Sequence, residues 1–535
     1  MAALHLNTPR TVALTIISAY LVTTTVIGYR AYKRSNTSTQ FLHARRALPL
    51  AITAIAFLAA NCGALEIVGI VAATARYGAL TLHFYWLGAI PAMLFLSLFM
   101  MPIYRRSGAI TVPDFLRVRY GPSTHVLSSL SLAIVMVFVS GISLYAISSV
   151  LGVFFGWPFF RIAIIASAIV LCYSLAGGLR ATIHNEIVQL ALTIAGLIPL
   201  VFAVTHDFHG IHGVLQCLPV NMTHIWTTLP ISQPHTATMD RVGLIFGLGF
   251  VLSFGYWCTD FLLIQRALAA KDLQASIQTP LLAAVVKLFF PILVILPGMA
   301  AAILLRKAGV HQYDQALPFL MRHYYSNILL GLGISAVLAS LMSGLAGHVS
   351  AFSSLWTYDV YRMHLVTKRS DAHYLKMGRI FTATACLLSV FTAYISFRYN
   401  NLMDYMQLLF SLFNAPLFAT FLIGMFTTWA TPSAGFWGLL CGMVVAAAHN
   451  IAARYGFVTY GSQMLANFYG AIYGWLTCFI ITCAVSLFTP GKSKAELTGI
   501  TYFTQDRETA SISRPTILLA VIVLLACIAL NFKFR

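Results

Sequence analysis

Acidic residues are scarce in this chain. Aspartate and glutamate together number 14 among 535 residues, and charged residues of all types reach 9%, against roughly a quarter in soluble domains. With 59% hydrophobic residues and a mean hydropathy of +0.83, that scarcity excludes a water-soluble globule and leaves no soluble domain of any size. A disulfide framework is missing too. The nine cysteines are odd in number, and Cys62, Cys172, Cys258, Cys386, Cys441, Cys478, Cys483 and Cys527 fall in apolar runs, with only Cys217 in a long loop. No metal, nucleophile or phosphate-loop motif stands at the spacing an enzyme needs, so neither catalytic residues nor a cofactor are expected. His206, His209 and His212 lack a cysteine or carboxylate partner at ligand spacing and read as solvated loop histidines. Asn221-Met222-Thr223 fits the glycosylation pattern, a triplet common by chance.

What the chain has is long apolar runs from end to end. About 20 such residues cross the hydrocarbon core, and the punctuation predicts about 14 spans centred near residues 20, 60, 90, 138, 168, 194, 252, 292, 340, 385, 416, 442, 475 and 523. The fold class is thus all-α integral membrane, a single polytopic domain over residues 1–535 with the lipid bilayer as its surroundings. The formal net charge of +19 sits in short loops, where it reports topology rather than nucleic-acid binding. Assigning loops alternately puts 21 lysines and arginines inside, among them Lys33, Arg34, Arg45, Arg46, Arg117 and Arg119, and 11 outside, among them Arg76, Arg398 and Arg454. Both termini are therefore expected outside, in a plasma (cytoplasmic) membrane. The first apolar segment, Thr11 to Tyr29, has no convincing cleavage site and is read as a retained helix. Two outside connections are long, His206 to Asp240 and Lys307 to Asn327, the latter with a short surface helix expected in Tyr313 to Tyr325.

Ionisable groups at membrane depth are functional candidates by default, and here they are Glu66, Glu186, Asp260, Lys287 and Asp404. The second and seventh segments look interrupted, at Ala59-Ala60-Asn61-Cys62-Gly63-Ala64 and at Ser253-Phe254-Gly255-Tyr256-Trp257. Unwound backbone at that depth is tolerated where it lines a cavity, and it frees carbonyls for a cation and amides for a solute. The alternative is ordinary glycine at helix crossings. Ser340, Ser343 and Gly344 stand at i, i+3 and i+4 on one face, a hydroxyl set suited to a hard cation or else a small-residue packing face. Spacing also pairs Tyr256 with Asp260, and Asp404 with Gln407.

At these residues the chain resembles the sodium/solute symporter family, which includes sodium/glucose and sodium/proline transporters and has the leucine-transporter fold. The likeness runs through Ala59-Ala60-Asn61, Thr111-Val112-Pro113-Asp114-Phe115-Leu116, Tyr173-Ser174-Leu175-Ala176-Gly177-Gly178-Leu179, Asn185-Glu186-Ile187-Val188-Gln189, Gln265-Arg266-Ala267-Leu268-Ala269-Ala270-Lys271, Lys287-Leu288-Phe289-Phe290-Pro291, Leu296-Pro297-Gly298 and Asp359-Val360-Tyr361-Arg362. The resemblance implies one extra helix at 8–31, a ten-helix core at 46–430 built of two inverted five-helix repeats with broken first and sixth core helices, and three more helices at 431–535. It implies a sodium site of Ala59, Cys62, Ser340 and Ser343, with Gly344 replacing a second hydroxyl, and Glu186 on the cation's inward route. It implies solute contacts from Glu66, Lys287 and Gln407, with Tyr256 and Asn61 as the inner gate; Asp260 and Asp404 join the solute-binding candidates. Glu66 replaces a neutral amide and Leu65 a glutamate, so the pocket's polarity is rearranged.

The expected function is alternating-access symport of a small polar solute, such as a sugar, polyol or small carboxylate, with sodium as the co-transported ion, by a chain functional as a monomer. The first alternative is proton-coupled or uncoupled transport, motivated by Gly344 and by Glu66, Asp260 and Asp404. An alternative of another class is a membrane solute sensor, for which no soluble output domain is visible.

Overall fold

A computed structural model describes residues 7–32, 47–226, 240–310, 312–397, 401–504 and 512–534. Hydrocarbon supplies no hydrogen-bond partners, so the backbone satisfies itself in helices, and the only β-pairing among the described residues is one bridge, Leu48 with Ala270. In chain order the apolar helices are α1 (Asn7–Tyr32), α2 (Leu50–Asn61), α3 (Leu65–Leu82), α4 (Phe84–Arg106), α5 (Pro122–Phe155), α6 (Phe159–Leu175), α7 (Ala181–Asp207), α8 (Gly243–Thr259), α9 (Phe261–Leu268), α10 (Leu273–Lys307), α11 (Asn327–Leu365), α12 (Asp371–Ser396), α13 (Leu402–Phe426), α14 (Pro432–Arg454), α15 (Gln463–Phe488) and α16 (Arg514–Lys533).

Eleven of the described helices are long and apolar enough to cross a membrane, or 12 if the bent pair α8–α9 counts as one span. Three shorter apolar helices, Leu14–Ile27 within α1, α2 and α6, lie at the expected centres 20, 60 and 168. The expected total of 14 is thus not reached by full-length spans alone. The expected surface helix is present at Ala316–Tyr324. Several residues used for the charge bias, Lys33, Arg34, Arg45, Arg46, Arg398, Arg507 and Arg535, lie outside the described residues, as do 227–239 of the first long connection.

The first break falls where the residues foretold it. After Asn61 the chain leaves α-helix at Cys62 (φ −73°, ψ 52°), and the Gly63 amide donates to the Asn61 carbonyl at 2.7 Å instead of reaching back a full turn. A Cβ on Gly63 would stand 3.3 Å from Gly344 Cα, and one on Gly344 equally close to Gly63 Cα. Two facing glycines thus let the unwound segment lie directly on α11, which is one physical reason for a glycine where a hydroxyl residue was expected.

The second break is displaced. Helix α8 continues through Ser253-Phe254-Gly255-Tyr256-Trp257 without interruption, and the chain turns at Asp260 (φ −66°, ψ 117°), bending 50° into α9. Gly255 serves packing instead: a Cβ there would lie 3.0 Å from the Asn414 carbonyl oxygen of α13. Backbone cannot yield as a flexible side-chain tip can, so Gly255→Leu is expected to lower the unfolding temperature of the purified protein, with a cost of about 1–3 kcal/mol from overpacking.

The remaining helices brace this centre. Helix α11 packs along α5 and α7, and α1 lies against α7 and α11, where Gln189 Nε2 donates to Tyr20 Oη at 2.8 Å. Helices α14 and α15 pair with one another outside α13.

Candidate solute and cation sites

The central cavity, about 480 Å³ counted to its mouth, lies beside the first break and is walled by the break-end of α2 with α3, α4, α8 and α13. Asn61, Glu66, Tyr256 and Gln407, four of the expected solute contacts, line it together with Tyr85, Trp257 and Phe410. Lys287 stands behind this wall, fully buried, with Nζ 2.6 Å from Glu66 Oε1. The Tyr85 hydroxyl donates to the same carboxylate oxygen. The ammonium also lies 4.4 Å from the Phe290 ring centre and 5.8 Å from that of Trp257, contacts that stabilise a cation where water is excluded. Lys287 stands at the point where α10 turns, at Leu288 and Phe289.

Asn61 Nδ2 donates to the Tyr256 hydroxyl at 3.0 Å, and the Tyr256 ring stacks on Phe410 with centroids 4.9 Å apart. That leaves Asn61 Oδ1 and Gln407 Oε1 buried without partners, two acceptors on a cavity wall whose only nearby acid is already paired. Asp260 and Asp404 do not line this cavity. The Asp260 carboxylate is buried at the α8–α9 turn, facing the Leu262 and Leu263 amides at the start of α9. Asp404 faces away from Gln407, although both sit on α13, and its Oδ2 accepts from Arg76 Nη1 at 3.0 Å; the expected pairing of Asp404 and Gln407 on one face is therefore corrected.

The four residues expected to hold a cation converge. Ser340 Oγ donates to the Cys62 carbonyl and Ser343 Oγ to the Ala59 carbonyl at 3.5 Å, all four residues being almost fully buried. Two carbonyls at a helix end, that of Ala59 also accepting from the Cys62 amide at 3.1 Å, and two hydroxyls form an oxygen set of the kind hard cations prefer. Gly344 contributes none, but Ser143 of α5 brings its hydroxyl to 3.6 Å from where a Gly344 Cβ would stand. Glu186 of α7 lies beside Gly347, one turn further along α11, held by Arg266 Nη2 at 2.5 Å with both side chains fully buried.

Sequence reasoning missed Tyr85, Trp257, Phe410, Arg76 and Arg266 as parts of these sites. Trp257 adjoins Tyr256 on α8 and Phe410 follows Gln407 by three residues on α13, a spacing that could have found them; Tyr85, Arg76 and Arg266 meet Glu66, Asp404 and Glu186 from other helices, and nothing in linear spacing pairs them.

At the Arg76 end, outside the spans, Asp314 accepts from the Leu402 amide at 3.3 Å and so holds the start of α13. Burial, with a smaller contribution from nearby Asp404, pushes its carboxyl up to about 7. Because the folded value exceeds the unfolded one, near 4, stability is full below about pH 4 and is lost as pH rises towards 7, by about 1.4 kcal/mol per pH unit. Asp314→Asn is expected to flatten this part of the stability curve, read as unfolding temperature between pH 5 and 8.

These two sites at a broken helix, inside a bundle of this topology, define a membrane transporter of the leucine-transporter fold. The chain belongs to the sodium:solute symporter family, whose model matches residues 41–442. It is 26% identical over 526 residues to a sodium/glucose cotransporter 1 of Ovis aries, covering 89% of this chain and 78% of that one. It is 29% identical over 398 residues to a sodium/mannose cotransporter of Bos taurus, covering 68% and 66%. In structure it is similar to a Na+-coupled sialic acid symporter, with a TM-score of 0.77, 18% identity, and coverage of 90% of this chain and 99% of that one. A nucleobase-cation-symport-1 family transporter gives a TM-score of 0.54 at 12% identity, covering 87% and 98%. These relatives are transporters, not enzymes.

Proposed function

We propose that the chain couples sodium entry to uptake of a neutral, hydroxyl-rich solute, a sugar or polyol, by alternating access. The observation that carries this reading is the Glu66–Lys287 pair. It neutralises itself, so the cavity offers no net charge to a carboxylate, while Asn61 Oδ1 and Gln407 Oε1 present acceptors that lack donors. A hydroxyl donates to such acceptors, and an aromatic ring such as Tyr256 covers a sugar's apolar face. The sodium/glucose and sodium/mannose relatives support the same class.

In this mechanism sodium is carried with the solute. Its ligands are the Ala59 and Cys62 carbonyls with the Ser340 and Ser343 hydroxyls, so its binding ties the α2–α3 break to α11. The same break carries Asn61 and Glu66 into the solute cavity. Each ligand therefore favours the conformation the other requires, and the coupling is reciprocal. We assign the Arg76 end to the outside, with both termini there. Arg76–Asp404 then closes the outer approach, and Glu186–Arg266 stands on the cation's inward route. The single chain contains both sites, which supports function as a monomer in the plasma membrane.

The test is uptake of radiolabelled D-glucose and D-mannose into proteoliposomes at fixed pH, with sodium exchanged for choline. Uptake is expected to fall to background in choline; undiminished uptake overturns sodium coupling. A proton-coupled reading draws on the buried Asp260 carboxylate and on Gly344, and it requires uptake in choline driven by an inward pH gradient.

A further inference from the structure

A second cavity, about 1320 Å³ counted to its mouth, lies on the opposite side of α13 from the central one and shares no lining residue with it. Helix α13 is the partition. Met403, Gln407 and Phe410 face the central cavity, whereas Asn401, Asp404 and Leu408 face the second, which α14 and α15 complete with Asn450, Arg454 and Gln463.

Its wall is chemically unfinished. Asn401 Nδ2 and Asn450 Oδ1 are buried atoms without partners, and between them the Asp404 carboxylate is shared by Arg76 and the Tyr77 hydroxyl; the three side chains are 4%, 8% and 7% exposed. Each of these residues is otherwise engaged, so its position is set. Asn401 Oδ1 caps α13 by accepting from the Met403 amide at 2.8 Å, Asp404 Oδ2 accepts from Arg76 at 3.0 Å, and Asn450 Nδ2 donates to the Ala446 carbonyl at 2.8 Å. What remains is the Asn401 donor, the Asn450 acceptor and the spare lone pairs of the Asp404 carboxylate, on side chains that line one cavity. Arg454 on the rim makes no ion pair among the described residues.

We propose that this cavity is a second solute site, taking a polyhydroxylated molecule of monosaccharide size. Hydroxyl groups match the wall because each donates and accepts at once, so adjacent hydroxyls satisfy Asp404, Asn450 and Asn401 together. A carboxylate meets Arg454 and Arg76, but it leaves the acceptor Asn450 Oδ1 unsatisfied, at a cost for a buried group, and sets a like charge beside the Asp404 carboxylate. The site also has a consequence for access. Its occupant shares the Asp404 carboxylate with Arg76, so occupancy weakens the bridge between α3 and α13. The peripheral pair α14–α15 thereby gains a part in solute entry.

The site goes beyond the central reading and is separable from it. Full-length protein in nanodiscs is titrated with tritiated D-glucose, D-mannose and myo-inositol, as wild type, Gln407→Ala, Ala447→Phe and the double variant. Ala447 lines the second cavity from α14, and a phenylalanine there fills it without removing a hydrogen bond. Wild type is expected to bind a second equivalent of at least one probe, Ala447→Phe to bind that equivalent about tenfold more weakly, and the double variant to bind neither. Should Ala447→Phe fail to fold, Arg454→Ala read in the same assay replaces it. The proposal is overturned if wild type binds at most one equivalent of every probe, or if the correctly folded cavity variant keeps wild-type stoichiometry. Failure of the central reading has a different signature, namely stoichiometry and affinity untouched by Gln407→Ala.

Discussion

Lys287→Met is expected to abolish solute uptake and to destabilise the folded protein by about 3–5 kcal/mol, the cost of leaving a buried carboxylate without its counter-ion. The size of the effect follows from burial. Lys287 has no exposed side-chain surface and Glu66 only 6%, so water cannot take the ammonium's place. The Tyr85 hydroxyl still donates to Glu66, but a neutral donor does not offset a full charge. The double variant Glu66→Gln/Lys287→Met separates the two losses. It restores neutrality in nearly the same volume, so its unfolding temperature in detergent is expected to return close to wild type, because replacing both partners of a buried pair is often neutral. Its uptake is expected to stay low, since Glu66 lines the cavity and its charge orders the wall. A Lys287→Met protein as stable as wild type, or a double variant as unstable as the single, contradicts the account.

How much of this was legible in the residues differs from feature to feature. The bilayer setting was legible because it rests on composition, and the first break because Gly63 combines a turn-permitting residue with an apolar surround. The second break was misplaced for a physical reason. A glycine among small and polar residues marks either an unwound turn or a close helix crossing, and only the opposing backbone decides. Gly255 meets Asn414 and stays helical, whereas the turn falls at Asp260, the N-cap of α9, a residue type that marks a helix start but at membrane depth reads first as an intramembrane charge. The cation set was legible as spacing on α11, since i, i+3 and i+4 share a face, together with a resemblance that supplied the carbonyl side. Partners across helices were not legible. Glu66 with Lys287, Glu186 with Arg266 and Asp404 with Arg76 are each joined by packing between segments far apart in the chain, and the same packing sent Asp404 to a different cavity from Gln407, three residues away on one helix.

Ser343→Ala is expected to raise the sodium concentration for half-maximal uptake by about tenfold or more, while maximal uptake at saturating sodium stays near wild type. One hydroxyl among four protein oxygens is a large share of a hard cation's coordination, and a tenfold shift corresponds to about 1.4 kcal/mol. The fold tolerates the change: alanine suits the interior of α11, and the bond lost, from Ser343 to the Ala59 carbonyl, is a long one at 3.5 Å. Ser340→Ala is expected to shift sodium dependence in the same direction, since Ser340 meets the Cys62 carbonyl across the same gap. Lithium and choline controls separate ligand loss from general impairment, because a protein damaged in its conformational cycle loses maximal uptake whatever the cation. A sodium curve unmoved by either serine substitution removes the Ser340–Ser343 face from the cation site. The ion-coupling step then has to be sought at Asp260, whose buried carboxylate stands at the α8–α9 turn, beside the second break.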